Sequence, residues 1–421
     1  MKTKYIFFVC LLVPIRFLFS QEAGWISQNP FPPTQWIEFT SVFFLDDSTG
    51  WVGGGWPRKI LKTVDGGNNW NIQSLPASDT LQWIGSIYFL SSAKGWAVGG
   101  ENGGENGKII FTTNGGSEWQ DFSISGVKFL SSVLFVSEST GFIAGNEGII
   151  LKTTDTGNSW LPKNSGTNMR LNQLFFRTPL EGWAVGENIT LKTIDGGENW
   201  VSIILDPNFY GDYRSIFFVS ELKGWILGSN FLYTTEDGGN SWTRRFLNYD
   251  YMLSIVFQTQ EIGWIVGSNG VILKTTDGGI NWGRQLCPTV QNLCSAFFIS
   301  PMTGWVVGNY GTILKTTDGG GITSVKYDGN SELSTDYYLS QNYPNPFNPE
   351  TNINYSIPEN GFVNLKIYNV LGKEIITLVE EVQPRGSYEI SFNGSDLPSG
   401  IYFYKLKANT FTQTRKFVLL K

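Results

Sequence analysis

Short runs of alternating apolar and polar residues recur along the first three quarters of the chain, and glycine-rich turns separate them. Lys59 to Thr63 alternates as a half-buried strand does, and the next run begins at Trp70. Between the two runs, Asp65 can accept hydrogen bonds from turn amides, and Gly66 and Gly67 tolerate positive φ. The pattern predicts a β-hairpin closed by a tight turn.

The turn that begins at Thr63 recurs six more times. Its copies are Thr112 to Trp119, Thr153 to Trp160, Thr193 to Trp200, Thr235 to Trp242, Thr275 to Trp282 and a shorter one, Thr316 to Gly320. The tryptophans that end the six complete copies lie 49, 41, 40, 42 and 40 residues apart. A period near 40 with several short strands per repeat is typical of propeller blades.

Each repeat predicts four strands, typified by Ser215 to Ser220, Gly224 to Gly228, Phe231 to Thr235 and a run that begins at Trp242. Seven such repeats predict a seven-bladed propeller. The last repeat lacks its fourth strand, whereas Gly24 to Gln28 resembles one. We therefore expect the N-terminal segment to complete the last blade and close the ring.

The pattern divides the chain into four parts. Residues 1–20 resemble a signal peptide, because Lys2 and Lys4 precede a short apolar run, Tyr5 to Pro14. No transmembrane anchor or lipoprotein signal is expected. Residues 21–325 form the propeller, and residues 326–337, rich in Asp, Ser and Gly, form a linker. Residues 338–421 contain six or seven short alternating runs, which predict a small Ig-like β-sandwich. The predicted fold class is all-β.

The turn motif resembles the Asp-box, or BNR repeat, of sialidases and related propellers. We interpret its acidic position as structural, because the same motif occurs in every blade whereas a catalytic site is singular. The residues at this position are Asp65, Asn114, Asp155, Asp195, Asp237, Asp277 and Asp318.

The composition excludes several kinds of catalytic and binding site. The chain has no histidine, which excludes a Ser-His-Asp triad and histidine-ligated zinc, and neither a metal nor another cofactor is expected. A net charge of -6 argues against nucleic-acid binding. Cys287 and Cys294 could form a disulfide after export or remain free thiols.

The C-terminal region carries a series of motifs: Tyr343 to Pro349, Ile367 to Gly372, Leu397 to Tyr402 and Lys416 to Lys421. In this order they resemble the type A C-terminal sorting domain of the type IX (Por) secretion system. The resemblance implies passage through the periplasm and across the outer membrane by that machinery, recognised through residues 338–421. The protein is then either secreted or attached to the cell surface.

Residues 38–320 are similar to the photosystem II assembly and stability factor family, whose repeats pair a Gly-Trp strand with an Asp-box turn. Gly263 to Trp282 fits that pattern well. Members of that family bind partners and are not enzymes, so the resemblance implies a binding propeller. The alternative is an Asp-box glycoside hydrolase of the sialidase or xyloglucanase kind.

Ligand-binding candidates are the positions that do not repeat between blades. One residue precedes each inner strand by the same interval, and it differs in all seven repeats: Glu38, Trp83, Phe129, Arg170, Asp212, Tyr251 and Asn292. Trp56, Arg58, Tyr213, Arg214 and Tyr310 lie near them in the predicted fold. An identical scaffold with divergent tips suits recognition, so we expect these residues to bind a protein or glycan on the face away from the Asp-boxes.

Overall fold

The computed structural model describes most of the chain after the predicted signal peptide. The described ranges are 24–31, 35–55, 57–76, 81–101, 104, 106–122, 124, 126–247, 249–320, 324–327, 337–383, 386–395 and 397–421. Residues 1–20 and Trp56 lie outside them, as does most of the predicted linker.

The described residues form β-strands, joined by turns and two short 3-10 segments at Asn146–Gly148 and Ser268–Gly270. Seven antiparallel four-stranded units follow one another, and we number them as blades 1 to 7. The inner strands are Glu38–Phe44, Trp83–Phe89, Leu130–Phe135, Leu171–Phe176, Tyr213–Phe218, Met252–Phe257 and Leu293–Phe298. The second strands are Gly50–Gly55, Gly95–Gly100, Gly141–Gly145, Gly182–Gly186, Gly224–Gly228, Gly263–Gly267 and Gly304–Gly308.

The third strands carry the residues that lead into the Asp-box turns: Lys59–Thr63, Gly107–Thr112, Ile150–Thr153, Ile189–Thr193, Phe231–Thr235, Ile272–Thr275 and Ile313–Thr316. The outer strands of blades 1 to 6 are Asn71–Ile72, Gln120–Phe122, Leu161–Lys163, Val201–Ser202, Thr243–Phe246 and Gly283–Arg284. In blade 7 the outer strand is Ile26–Ser27, which pairs antiparallel with the third strand, Ile26 opposite Lys315. The two ends of the ring are therefore joined in one sheet.

Neighbouring blades pack through the tryptophan of the Gly-Trp strand. Trp51 of blade 1 stacks on Phe89 of blade 2 with ring centroids 3.6 Å apart, and Trp225 stacks on Phe257 at the same separation. Both indoles are fully buried. The all-β propeller predicted from the repeats is confirmed, and its core is a series of apolar layers between blades.

The C-terminal region is a sandwich of two antiparallel sheets around one apolar core. One sheet contains Gly361–Asn369, Glu374–Gln383, Gly400–Ala408 and Phe411–Leu419, and the other contains Tyr338–Leu339, Glu350–Ile357 and Gly386–Asn393. Alternating burial along these strands accounts for the alternating sequence.

A short strand, Ser324–Tyr327, connects the two domains. It pairs with Gly283–Arg284 of blade 6 on one side and with Gly386–Asn393 of the sandwich on the other. The linker expected to begin at residue 326 therefore starts inside a strand. One sheet runs from blade 6 into the sandwich.

The two cysteines considered for a disulfide are free thiols in this structure. Cys287 packs against the apolar cluster that contains Trp25 and Trp264. Cys294 lies in the inner strand of blade 7, and its thiol donates to Asn309 Oδ1 at 3.5 Å. Burial raises the pKa of Cys287 to about 11 and that of Cys294 to about 12, so both thiols stay protonated at neutral pH.

Candidate functional site

The Asp-box turn is a closed hydrogen-bond system. In blade 1, Thr63 Oγ1 donates to Asp65 Oδ1 at 2.9 Å and accepts from the Gly67 amide at 2.8 Å. Asp65 also accepts from the backbone and side-chain N–H groups of Asn69, at 2.8 and 2.7 Å. The carboxylate is thus used by its own turn.

The same contacts recur in the other blades. Asp155, Asp195 and Asp237 each accept hydrogen bonds from the turn, which lower the pKa of each carboxyl to about 2. Asn114 takes the position in blade 2, where its Oδ1 accepts from Thr112 and from the Glu118 amide. An uncharged amide oxygen therefore suffices for the geometry.

Each inner strand begins with a β-bulge. In blade 5 the register shifts between Tyr213 and Ser215, so Arg214 is the additional residue. The same shift occurs in every blade, and the additional residues, here called bulge residues, are Thr40, Gly85, Ser131, Asn172, Arg214, Leu253 and Cys294. The residue before each bulge is buried in the blade.

The bulge in blade 5 changes the assignment of one predicted ligand-binding residue. Tyr213, expected to face a ligand beside Arg214, is only 5% exposed and packs edge-on against Phe231 and Tyr233. Burial raises the pKa of Tyr213 to about 12. The side chain is therefore part of the core of blade 5, and an alternation rule without a bulge misassigns it.

In blades 1 to 5, the residue after the bulge joins its blade to the next. Ser41 Oγ accepts from the Ile87 amide of blade 2 at 3.0 Å, and Gln173 Oε1 accepts from the Ile216 amide of blade 5 at 2.7 Å. Similar bonds join Ser86 to Val133, Ser132 to Leu174 and Ser215 to Ile255. These amides lie on the open edge of each inner strand, so the bonds satisfy donors that the sheet leaves unpaired.

The residues that precede the bulge by two positions, here called rim residues, have a fixed backbone. A Cβ at Gly99 would lie 1.8 Å from the Trp83 carbonyl oxygen, and one at Gly186 would lie equally close to that of Arg170. The glycine four positions after the first glycine of the Gly-Trp strand is thus required, because the rim backbone approaches it closely. The rim side chain remains free to vary.

The ends of the strands define two faces of the propeller. Each inner strand begins on the face that also holds the turns between second and third strands, here called the rim face. Asp-box turns follow the third strands, which run antiparallel to the second, so they lie on the other face. The non-repeating positions and the repeated turns are therefore separated.

A pocket of about 410 Å³ lies on the rim face across blades 2 to 4. Rim residues of three successive blades line it, together with two bulge residues and residues from the turns between second and third strands. The lining residues are Trp83, Glu101, Gly104, Phe129, Ser131, Asn146, Arg170 and Asn172. The structure thus brings together three of the residues selected from the sequence, Trp83, Phe129 and Arg170.

A cluster of charges adjoins this pocket. Asp212 Oδ2 lies 2.9 Å from Arg170 Nη2 and 2.8 Å from Arg214 Nη2, and Asp212 Oδ1 accepts from Asn172 Nδ2 at 2.7 Å. One carboxylate therefore pairs with two guanidinium groups. The ion pairs hold Arg170 and Asn172 in place at the pocket wall.

Other candidates lie apart from the pocket. Arg58 donates to the backbone oxygens of Pro76 and Leu81, so its guanidinium holds the chain before blade 2. Tyr310 packs against Trp36 with ring centroids 4.8 Å apart. Tyr251 is 64% exposed.

Two further rim residues have local roles. Burial raises the pKa of Glu38 above its ordinary value. Asn292 Oδ1 accepts from the Asn269 amide at 3.2 Å.

Glu101, Ser131, Asn146 and Asn172 are pocket residues that the sequence comparison missed, because it selected only one position per inner strand.

Neither a metal site nor a membrane helix is found among the residues that the structure describes. No group of three or more Cys, Asp or Glu side chains there could hold a metal ion. No helix in these ranges is long and apolar enough to cross a bilayer.

Two family models match the chain. The model for the secretion system C-terminal sorting domain matches residues 341–420, and the model for photosynthesis system II assembly factor YCF48 matches residues 117–217 and 212–289. The chain joins a YCF48-like propeller to a secretion sorting domain. The resemblances stated from the motifs are therefore confirmed.

Curated relatives match part of the propeller. Photosystem II assembly lipoprotein Ycf48 of Synechococcus sp. (strain CC9902) is 32% identical over 123 residues, which is 28% of this chain and 34% of the relative. The chloroplastic stability and assembly factor HCF136 of Arabidopsis thaliana is 35% identical over 107 residues, 23% of this chain and 26% of the relative. The matches thus span about a third or less of these relatives.

Solved structures share the fold over a longer range. YCF48 bound to a D1 peptide has a TM-score of 0.58 at 21% identity, covering 70% of this chain and 98% of that one. YCF48 from Cyanidioschyzon merolae has a TM-score of 0.56 at 18% identity, with the same two coverages. These similarities establish the propeller fold. The sorting domain places the protein among those exported by type IX secretion to the cell surface or beyond.

Proposed function

We propose that the chain is an exported recognition module whose propeller binds a protein or glycan on its rim face. The observation that carries this proposal is the pocket of about 410 Å³ formed by rim residues of three successive blades. Its volume lies within the range of roughly 300–1,000 Å³ common for ligand sites. A constant framework that presents variable side chains into one cavity is a recognition surface.

The charges near the pocket favour binding over glycoside hydrolysis. A glycoside hydrolase uses two carboxyl groups on either side of the scissile bond. Asp212 is paired with Arg170 and Arg214, and Glu101 is the carboxylate that lines the pocket. The Asp-box carboxylates are held in their own turns on the other face. Because the Asp212 carboxylate is paired and hydrogen-bonded, it orients the neighbouring side chains, which supports a non-catalytic role for this site.

The comparisons support a macromolecular partner. A structural neighbour, YCF48, is solved with a bound D1 peptide. In this chain the propeller is followed by a sorting domain, so the partner is expected at the cell surface or outside the cell. The type IX machinery is the second partner, engaged through residues 338–421.

The test uses the purified chain without its signal peptide. The probes are a displayed random-peptide library and a glycan array, followed by measured affinities for the enriched ligands. Trp83→Ala and Arg214→Ala should each weaken binding at least about tenfold. The control Ile194→Ala changes a side chain that is 73% exposed beside an Asp-box and should leave affinity unchanged. If Ile194→Ala weakens binding and the two rim-face variants do not, the site lies on the other face. Hydrolysis of a bound glycan would favour the alternative function, a glycoside hydrolase.

A further inference from the structure

The pocket depends on an enlargement that blade 2 alone has among the described blades. Its second and third strands, Gly95–Gly100 and Gly107–Thr112, are joined by six residues, whereas two to four residues join the equivalent strands of the other blades. The Gly104 carbonyl accepts from the Phe129 amide at 3.0 Å, and Glu101 accepts from Asn106. Gly104 is thus fixed to blade 3, and Glu101 and Gly104 form one wall of the pocket.

Two aromatic rings line the pocket and are supported from behind by glycine. A Cβ added at Gly55 would lie 2.4 Å from Cδ2 of the Trp83 indole, so this ring lies against the bare backbone of blade 1. A Cβ at Gly85 would lie 3.3 Å from Phe129 Cε1, so the second ring lies close to the backbone of blade 2. Both side chains are only partly exposed and line the cavity. Held in this way, they are rigid stacking surfaces.

The rest of the lining is polar. Ser131, Asn146, Asn172, Arg170 and Glu101 supply hydroxyl, amide, guanidinium and carboxylate groups, and glycine completes the wall. Asn146 Oδ1 and Arg170 Nε are buried and have no hydrogen-bond partner within the described part of the chain. A buried acceptor and a buried donor therefore both favour a ligand that can donate and accept.

The charges of the side chains near the pocket sum to zero. Arg170 and Arg214 contribute two positive charges, and Asp212 and Glu101 contribute two negative charges. A neutral ligand therefore suits the site better than a strongly acidic or basic one.

We propose that this pocket binds a neutral saccharide, one face of a sugar ring stacked on Trp83 or Phe129. The proposal rests on the proposed function, because it names the ligand class of the same rim-face site. A sugar presents an apolar C–H face and a rim of hydroxyl groups that donate and accept, which matches two aromatic surfaces among polar side chains. An aliphatic side chain of a peptide would leave the polar lining atoms unpaired. Peptide addition to an inner strand is disfavoured, because Ser41 and its equivalents already occupy the edge amides.

The experiment is a glycan array of neutral plant, algal and bacterial oligosaccharides, followed by calorimetry with the best-bound compound. Trp83→Ala and Phe129→Ala should each weaken binding at least about tenfold. Glu101→Gln should weaken binding several-fold while the melting temperature is kept, because Glu101 is only partly buried. The matched control is Trp36→Ala, since Trp36 is 51% exposed and packs against Tyr310 outside the pocket. It should leave affinity unchanged.

Two groups of results would overturn the saccharide proposal. The first is no binding to the array, or binding that all three pocket variants leave intact. The second is that peptides bind instead of saccharides and that Trp83→Ala abolishes peptide binding. This result would retain the proposed rim-face function and change its ligand class. Ligands of either class that are lost only with Ile194→Ala would overturn the proposed function as well.

Discussion

The indole of Trp305 in blade 7 stacks on the ring of Phe44 in blade 1, with centroids 3.5 Å apart and planes 11° from parallel. An aromatic pair at the same two positions joins every other pair of neighbouring blades, with Phe142 in place of the tryptophan in blade 3. Here the pair is formed between residues far apart in sequence. Trp305 Nε1 also donates to the Gly66 carbonyl oxygen at 3.2 Å. The ring therefore closes through its ordinary packing contact as well as through the N-terminal strand.

Trp225→Ala should lower the free energy of unfolding by about 3 to 5 kcal/mol, because it removes a buried indole stacked on Phe257. Denaturant unfolding followed by fluorescence measures this. Leu180→Ala, at a side chain that is largely exposed, is the control and should change the free energy by less than about 0.5 kcal/mol. A stable Trp225→Ala protein that no longer binds ligand would contradict the structural role.

Loss of the N-terminal strand should destabilise the propeller. Trp25 packs edge-on against Phe298, and its indole N–H donates to Gln285 Oε1 at 3.0 Å. Trp25→Ala, or removal of residues 21–34, should lower the melting temperature by several degrees. Ser27→Ala changes an exposed side chain of the same strand and should have little effect. An unchanged melting temperature in the deletion would argue against closure by this segment.

Stability should fall in acid through the Asp-box carboxyls. Hydrogen bonds of the folded state lower the pKa of Asp155, Asp195 and Asp237 to about 2, whereas an unfolded Asp titrates near 3.9. Because the folded pKa is the lower one, the stabilisation is complete above about pH 4 and is lost as the pH falls towards 2.

The triple variant Asp155→Asn, Asp195→Asn and Asp237→Asn tests this pH dependence. Asn114 shows that an amide retains the turn geometry. The variant should therefore stay folded, and its unfolding midpoint in denaturant should depend less on pH between 4 and 2. An identical pH profile in the variant and the unchanged protein would refute the assignment to these carboxyls.

Removal of residues 338–421 should prevent export across the outer membrane. The matched sorting domain lies in that segment, while the blades have their own core. Cell fractionation with immunoblotting, in a strain that has a type IX system, should show the truncated protein folded in the periplasm. Its normal appearance in the medium would contradict the role of the sandwich as the export signal.

The sequence predicts the repeated parts of this fold well. Trp225 and Asp195 occur in motifs whose spacing and turn chemistry require the Gly-Trp strand and the Asp-box. The prediction that Tyr213 binds ligand is wrong, because a bulge changes which side chain faces the core. No residue type in the sequence marks the position of the bulge.

The pocket could be predicted only in part. Trp83 and Phe129 were found because they break the repeat, whereas Asn146 and Glu101 belong to turns whose position depends on how blades pack. Arg58 was selected because it lies between a second and a third strand, on the predicted binding face, but its guanidinium donates to backbone carbonyl groups instead. Long polar side chains have many available partners, and sequence spacing does not rank them.

The bulge at the start of each inner strand has a consequence for how such a protein diversifies. Because the register shift takes up one residue in every blade, that residue can change while the buried residue before it and the paired residue after it keep their partners. Gly85, Leu253 and Arg214 already occupy equivalent positions despite their different sizes and polarities. Gly85 is the exception, because a Cβ there would lie 2.6 Å from the Leu130 carbonyl oxygen. Mutation and selection can therefore act on the other six positions around one circle, and a library randomised at these six alone would sample new specificities on an unchanged framework.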